Sequence, residues 1–311
     1  MRVLITGSSG HVGGAIARHF LERGFEVVGL SQSPSRLGGQ AQEIQADIGS
    51  DAFAERVAAA VAPCAAIVHA AAALDKDLLA PALGRANCLG MQQVLQLAFK
   101  WNVASFVYIS GVTVIGTPRS LPVTEEHPID PPTAYHASKL YGEHLTELAR
   151  RAGLSAAVLR LTAPVGPGMR SDRILSVFVR HTLAGTPITV AGQGSRRQNY
   201  VDVRDVASAV ESCVRMRTTA LCNIAGRHSI SNLELARACK RVLGSSSPIQ
   251  FSGRPDPEEG VQWEVSIARA AACLGYEPRH TIDDSIRTVA AEVFKEESAK
   301  ELPQAIRPLS A

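Results

Sequence analysis

The chain opens with the segment MRVLITGSSGHVGG, which constrains the fold more than any other stretch. Arg2–Thr6 is a short run rich in Val, Leu and Ile, typical of a buried β-strand. Gly7, Gly10 and Gly13 follow at intervals of three, and a helical pattern begins at His11. Glycines here let the backbone approach a pyrophosphate, whose charge meets unpaired N–H groups and the positive end of the helix dipole. The segment therefore predicts a strand, a tight turn and a helix that together bind a dinucleotide.

Apolar strands alternate with amphipathic helices through the first half of the chain. The first helix is predicted over 11–23, and strands are predicted over 25–30, 43–46, 65–68, 106–110, 155–161 and, later, 221–225. Strands that alternate with helices in this way specify a parallel sheet with right-handed crossovers. We therefore expect an α/β protein with a Rossmann-like, doubly wound parallel sheet.

The regular alternation fades after Leu161, where turn-rich segments begin. We expect residues 1–163 to form a dinucleotide-binding domain, to which 199–226 return. Residues 164–198 and 227–290 would form a smaller, interleaved C-terminal lobe that binds the substrate. Residues 291–311 are charged and contain proline, so we expect a C-terminal tail on the surface.

Composition narrows the function classes and the partners. The net charge of +3 is small and dispersed over 311 residues, which argues against a nucleic-acid partner. The sequence shows neither a signal segment nor an apolar stretch long enough to cross a bilayer. The cysteines lack CxxC spacing, so we expect neither disulfides nor a metal site. These features predict a cytoplasmic protein without a membrane partner.

Cofactor contacts are expected at the carboxyl ends of the strands, where an open parallel sheet binds its ligand. The glycine turn would contribute Gly7, Ser9, Gly10, His11, Val12 and Gly13. Ala70 and Ala71 follow the fourth strand and are small enough for close approach of a cofactor. Asp47 and Ile48 follow the third strand and would contact adenine; a cap on the next helix explains Asp47 equally well.

Ser31 stands at the end of the second strand, where NAD-binding units place an acidic residue that binds the adenosine ribose. The missing carboxylate removes repulsion against a 2′-phosphate. Arg36 is near enough in sequence to meet that phosphate, although it would also serve to solvate a loop. The sequence therefore favours NADP over NAD as the cofactor.

Tyr135 and Lys139 lie four residues apart in YHASK, so a helix places them on one face. Lowering the pKa of a phenol from near 10 by about three units requires about 4 kcal/mol of preferential phenolate stabilisation. A nearby lysine and an oxidised nicotinamide ring could provide it together. The same spacing also occurs on helices by chance, but its place after the fifth strand favours an acid/base role.

Five motifs, taken in order, resemble the extended short-chain dehydrogenases/reductases, specifically the NAD(P)-dependent nucleotide-sugar epimerase/dehydratase group: TGSSGHVG, HAAA, NCLG, YHASK and YVDVRDVA. The resemblance extends over about residues 1–290. It implies that Tyr135 is the acid/base on a substrate hydroxyl or ketone and that Lys139 holds the nicotinamide ribose. It also implies a substrate diphosphate held by Arg197 and Arg254, although Gln198 occupies the usual place of the first arginine.

The end of the fifth strand departs from this family pattern. The family has a Ser or Thr that hydrogen-bonds the reacting oxygen, where this chain has Gly111. Ser110, an expected cofactor contact, should point to the opposite side of an extended strand, whereas Thr113 shares the side of Gly111. Thr113 is therefore the expected replacement donor, with simple filling of the loop by a β-branched residue as the alternative.

The same stretch discriminates between reactions of the family. Its 4,6-dehydratases follow their Thr with Asp and Glu, and Val112 and Thr113 cannot exchange protons in their place. The resemblance thus implies hydride transfer on a nucleotide-activated sugar by a 4-epimerase or 4-ketoreductase. The alternatives are a ketoreductase of a non-sugar substrate, which needs no diphosphate clamp, and a non-catalytic NAD(P)-binding sensor, which Gly111 suggests.

Oligomeric state also follows from the resemblance. Enzymes of this group commonly dimerise through the helices after the fourth and fifth strands. Apolar positions on those helices are Val94, Leu95, Leu140 and Leu145. We therefore expect a homodimer with a four-helix interface.

Overall fold

The computed structural model describes residues 1–34, 37–75, 77 and 79–301. The strands are β1 (Arg2–Thr6), β2 (Glu26–Ser31), β3 (Gln42–Gln45), β4 (Ala66–His69), β5 (Ser105–Gly111), β6 (Ala156–Leu161), β7 (Ala163–Val165), β8 (Ile188–Val190), β9 (Arg197–Asp202), β10 (Leu221–Ile224), β11 (Ser229–Ser231) and β12 (Ile249–Phe251). The helices are α1 (His11–Glu22), α2 (Phe53–Ala60), α3 (Gly90–Lys100), α4 (Ala134–Arg151), α5 (Ile174–Leu183), α6 (Val203–Met216), α7 (Asn232–Leu243), α8 (Ala268–Leu274) and α9 (Ile282–Glu301).

Seven strands form the central sheet in the order β10-β6-β5-β4-β1-β2-β3. Every neighbouring pair in this sheet is parallel. The strand order reverses between β1 and β4, and in such sheets ligands bind in the crevice at the carboxyl ends of the strands at this point. The predicted α/β class and doubly wound sheet are confirmed.

Apolar layers cover both faces of the sheet. On one face α1 packs against α6, with Ile16 and Phe20 buried beside Val206 and Val210. On the other face α2, α3 and α4 cover a second apolar layer, which includes the buried residue Met91. The strands therefore read as nearly continuous apolar runs, because both of their faces are buried.

A smaller lobe follows β6 and is built from two short sheets and three helices. Its sheets have the orders β11-β9-β7 and β12-β8, and α5, α7 and α9 pack together around an apolar cluster. Helix α9 runs to Glu301 and buries Val289 and Val293 in that cluster. The tail predicted over 291–311 is therefore wrong for 291–301, because this segment still has an apolar face to bury.

Helix α3 does not expose the residues expected at a dimer interface. Val94 is fully buried and Leu95 is 7% exposed, because both pack in the chain's own core under the sheet. That assignment of interface residues is wrong. The exposed apolar side chains on α3 and α4 are instead Phe99, at 46%, and Leu148, at 56%.

Within the part of the chain that the structure describes, none of the helices is sufficiently long and apolar to span a bilayer.

Candidate active site

The glycine turn forms a tight cradle before α1. Gly7 has a φ of +74°, and its carbonyl accepts a hydrogen bond from the Gly10 N–H at 2.9 Å. A Cβ on Gly13 would lie 2.2 Å from the Gly7 carbonyl oxygen, so only glycine fits there. The first turn of α1 carries no acidic residue. Free N–H groups and an uncompensated helix dipole therefore remain for an anion.

Polar side chains of the turn are held differently. Ser9 is exposed, whereas the hydroxyl of Ser8 is buried and has no hydrogen-bond partner among the described residues. His11 likewise has a buried Nε2 atom without a partner in the described part, and burial lowers its pKa to about 4. Val12 packs on the core. Orphaned buried polar atoms beside a cradle are what a bound ligand would satisfy.

Ala70 and Ala71 pack directly against the glycine turn. A Cβ on Gly7 would lie 2.8 Å from the Cα atom of Ala71. The Ala71 N–H donates to Thr6 Oγ1 at 3.2 Å, and this oxygen is 2.8 Å from His69 Nδ1. His69 is buried and its pKa falls to about 3, so it stays neutral and serves to hold the turn.

A pocket of about 230 Å³ lies at the end of β2, where the adenosine ribose was expected. Ser31 and Glu43 are among its lining residues. The Ser31 hydroxyl donates to the Ser33 carbonyl at 2.5 Å, so it is already used within the loop. Arg36, the residue expected to meet a 2′-phosphate, lies outside the described residues.

Asp47 and Ile48 have distinct local roles. The Asp47 carboxylate accepts the Gly49 N–H at 2.8 Å, whereas α2 begins later, after Ala52, without a side-chain cap. The helix-cap explanation of Asp47 is therefore wrong. The side chain of Ile48 is buried in the core, so only its backbone remains for the predicted adenine contact.

Lys139 lies under the carboxyl end of β5. Its ammonium donates to the Ile109 carbonyl at 2.9 Å and lies 5.1 Å from the centre of the Tyr108 ring. Burial lowers the pKa of Lys139 from 10.5 to about 8, and the Glu143 carboxylate opposes this shift. A lysine in this setting is charged at neutral pH and fixed in direction.

Tyr135 begins the same face of α4 one turn earlier. Thr133 caps the helix, and its hydroxyl accepts the His136 N–H. Burial raises the pKa of the Tyr135 phenol, and the charge of Arg173 opposes that rise. The protein alone therefore does not prepare a phenolate, and a further positive charge has to supply the difference.

Thr113 is placed beside the space left by Gly111. A Cβ on Gly111 would lie 3.5 Å from Thr113 Oγ1, with the Leu161 carbonyl oxygen as the next atom at 3.8 Å. The backbone at Val112–Ile115 is a 3₁₀ turn and not the continuing strand that the sequence suggested. Buried Val114 and Ile115 anchor this turn while Thr113 stays exposed.

Ser110 is the site residue whose expected role the structure corrects. Its hydroxyl donates to Glu143 Oε1 at 2.6 Å, and the residue is 4% exposed. The side chain thus faces the helix side of β5, as strand alternation requires. Its hydroxyl is not available to a cofactor.

A family model described as the NAD dependent epimerase/dehydratase family matches residues 3–225. The chain belongs to this family. That membership confirms the resemblance to the extended short-chain dehydrogenases/reductases.

Relatives and solved structures extend over nearly the whole chain. A dTDP-glucose 4,6-dehydratase of Streptomyces niveus is 26% identical over 307 residues, covering 92% of this chain and 90% of the relative. A UDP-glucose 4-epimerase of Lactobacillus helveticus is 25% identical over 319 residues, covering 93% and 96%. The structure of a UDP-glucose 4-epimerase of Thermotoga maritima with UDP-glucose has a TM-score of 0.86 at 22% identity, covering 96% and 100%. This last likeness is one of fold.

The two arginines expected at the substrate of this epimerase/dehydratase-family chain differ in availability. Arg197 donates to the Ser229 carbonyl at 2.9 Å and pairs with Glu234 at 2.9 Å, so its guanidinium is tied within the lobe. Arg254 is exposed, and within the described ranges its side chain makes no ion pair. Arg254 is the freer cation of the two.

Sequence analysis missed two residues that position the Tyr135 helix. The side-chain amide of Asn87 donates to Ser138 Oγ at 2.9 Å and to the Ala73 carbonyl at 3.0 Å, from a π-helical segment at Leu83–Leu89. A Cβ on Gly142 would lie 2.3 Å from the Tyr108 hydroxyl, so this glycine lets α4 approach β5. The NCLG motif contained the first signal; the second needs coordinates.

Proposed function

We propose that the chain is an NAD-dependent enzyme that transfers a hydride at one carbon of a nucleotide-activated sugar, as a 4-epimerase or a 4-ketoreductase. The observation that carries this proposal is the placement of Tyr135 and Lys139 on one face of α4 at the end of β5. The names of the relatives, which act on UDP- and dTDP-sugars, support the substrate class.

The residues of the crevice fit a dinucleotide. The Gly13 cradle and the orphaned Ser8 hydroxyl are the observations that support this. Backbone N–H groups at Gly10 and His11 would hold the pyrophosphate, and Lys139 would hold the nicotinamide ribose. When bound, the nicotinamide ring supplies the site that accepts and returns the hydride.

For the cofactor we propose NAD, in place of the NADP that the sequence favoured. Glu43 lines the pocket at Ser31 and brings a carboxylate to it from the neighbouring strand. Repulsion of a 2′-phosphate by a carboxylate about 8 Å away amounts to about 2 kcal/mol at an effective dielectric constant of about 20. NAD should therefore bind at least about tenfold more tightly than NADP after screening by salt. Equal dissociation constants in titration calorimetry would reject this choice.

Proton transfer in the proposed reaction is assigned to Tyr135. Its phenolic oxygen takes the proton of the substrate hydroxyl during oxidation and returns it during reduction. Lys139, fixed on the Ile109 carbonyl, stabilises the phenolate through its charge. Thr113 Oγ1, beside Gly111, donates to or accepts from the reacting oxygen.

Dehydration is disfavoured by the side chains beside that oxygen. Val112 is buried and apolar, and Thr113 cannot act as a general acid or base near neutral pH. A ketoreductase of a non-sugar substrate is the second candidate, because the engagement of Arg197 with Glu234 removes one cation from the expected diphosphate clamp. Arg254 supports the sugar-nucleotide proposal.

Incubation with NAD and UDP-glucose, UDP-galactose or dTDP-glucose tests the proposal, with the sugar followed by proton NMR. A 4-epimer is the result expected of an epimerase. A reductase should instead consume NADH when given a 4-keto sugar nucleotide. A 4-keto-6-deoxy product from dTDP-glucose would identify a dehydratase, and reduction of non-sugar ketones alone would favour the second candidate.

A further inference from the structure

A buried polar cluster lies directly behind the end of β5. The Glu143 carboxylate accepts from Ser110 Oγ at 2.6 Å, from Arg160 Nε at 2.9 Å and from an Arg160 terminal nitrogen at 2.7 Å. The side chains of Arg160 and Glu143 are only 4% and 5% exposed. A two-pronged ion pair at this depth is costly to desolvate, and the hydrogen bond from Ser110 completes it.

The cluster and the acid/base residues share one helix face. Tyr135, Lys139 and Glu143 are spaced by four residues on α4, so they lie one above another. Lys139 binds the carbonyl of Ile109 and Glu143 binds the hydroxyl of the next residue, Ser110. Two consecutive residues of β5 are therefore fastened to two consecutive turns of α4.

We propose that Glu143, paired with Arg160, is a positioning residue of the acid/base site: it fixes the end of β5 against α4 and keeps Lys139 in its ammonium form. This inference rests on the proposed function of Tyr135 and Lys139. Neither Glu143 nor Arg160 touches the reacting atoms in this account.

Electrostatics at Lys139 support the second part. The titratable groups that face it from its own helix, from β4, β5 and β6, and from the π-helical segment are Tyr135, Glu143, His69, Tyr108, Arg160 and Cys88. Burial raises the pKa of the three uncharged acids among them, Tyr135, Tyr108 and Cys88, and lowers that of His69.

Those four groups are consequently neutral near pH 7. The charges left beside the Lys139 ammonium belong to Glu143 and Arg160, and the Glu143 carboxylate raises the pKa of Lys139 against the effect of burial. Removal of either partner should therefore change the proton affinity of Lys139, and the two removals should act in opposite directions.

The test is a titration of Lys139 by NMR in full-length protein with isotope-labelled lysine, with and without NAD. The resonance is assigned by its loss in Lys139→Gln. Glu143→Gln should move the titration of Lys139 down by about one pH unit, and Arg160→Gln should move it up by a similar amount. The Glu143→Gln/Arg160→Gln double variant, which removes both charges, should return close to the unsubstituted protein. Shifts of the two single variants in the same direction, or no shift, would overturn the proposal.

A matched control is available at a distant carboxylate. Glu211 on α6 pairs with His19 at 2.7 Å, and its side chain is 12% exposed. Glu211→Gln should leave the Lys139 titration in place; a shift equal to that of Glu143→Gln would count against a specific role for Glu143.

Loss of folding in a single variant does not block the test. Glu143→Met/Arg160→Met replaces the buried pair by side chains of similar size, which is often tolerated. The Lys139 titration should then stay near its original position, while turnover falls because the β5 fastening is lost, with KM for the nucleotide sugar little changed. Unchanged turnover in this folded variant would refute the positioning role. Since the titration needs no substrate, an absence of sugar turnover in the unsubstituted protein would refute the proposed function and leave the titration result interpretable.

Discussion

Thr113 and Gly111 allow the proposed donor to be moved from one residue to the other. Thr113→Val keeps the shape of the side chain and removes the hydroxyl. If that hydroxyl binds the reacting oxygen in a dry site, its loss should cost about 1.5 to 3 kcal/mol, or about 10- to 150-fold in kcat/KM. Gly111 has an extended backbone with φ −136°, and a Cβ placed on it would have its nearest contacts at 3.5 and 3.8 Å. Both distances are ordinary van der Waals contacts, so Gly111→Ser should fold without strain.

The informative variant is therefore Gly111→Ser in the Thr113→Val background. It places a hydroxyl where other members of the family are expected to carry theirs, and it should recover most of the lost kcat/KM in the sugar NMR assay. Gly111→Ala in the same background is the matched control, since it fills the same space without a donor and should recover nothing. Full activity of Thr113→Val alone, or equal rescue by alanine and serine, would refute the role of this hydroxyl.

Three further outcomes are expected. Gly142→Ala places a methyl group 2.3 Å from the hydroxyl of buried Tyr108, so it should cost about 1 to 3 kcal/mol and lower the melting temperature by a few degrees, and an unchanged melting curve would contradict the packing. Because the pKa of Lys139 is about 8 in the fold and about 10.4 when unfolded, the unfolded state binds more protons between these values. Stability relative to Lys139→Met should therefore rise with pH across this window, and a flat difference would show that Lys139 titrates normally. We propose that the homodimer forms through the exposed face that contains Phe99 and Leu148, so that charged substitutions there give monomers in sedimentation; an unsubstituted monomer at micromolar concentration would exclude the interface.

Much of the fold could be predicted from the sequence because each signal is local. The apolar run before Gly7 and the helical period after His11 define the first strand, turn and helix with nearly their observed bounds. The same logic fails where a tertiary contact decides the outcome. The segment after residue 290 was expected to be a tail, since its charged composition does not show that Val293 finds an apolar partner surface.

Side-chain direction at the site was only partly predictable. Strand alternation correctly turned Ser110 away from Gly111, but it could not identify Glu143 as the acceptor, which comes from another element. The expected continuation of the strand at Thr113 was wrong, because the burial of Val114 and Ile115 bends the backbone into a turn. The dimer residues failed for a related reason, since periodicity gives the apolar face of α3 without saying that the core already uses it.

The most direct test of the central claim is the turnover of Tyr135→Phe. This substitution removes the proton donor and leaves the ring in place, so the fold and the NAD affinity should persist. Turnover on a sugar nucleotide accepted by the unsubstituted protein should fall by about two to four orders of magnitude. Retention of full turnover by Tyr135→Phe would contradict the assignment of Tyr135 as the acid/base.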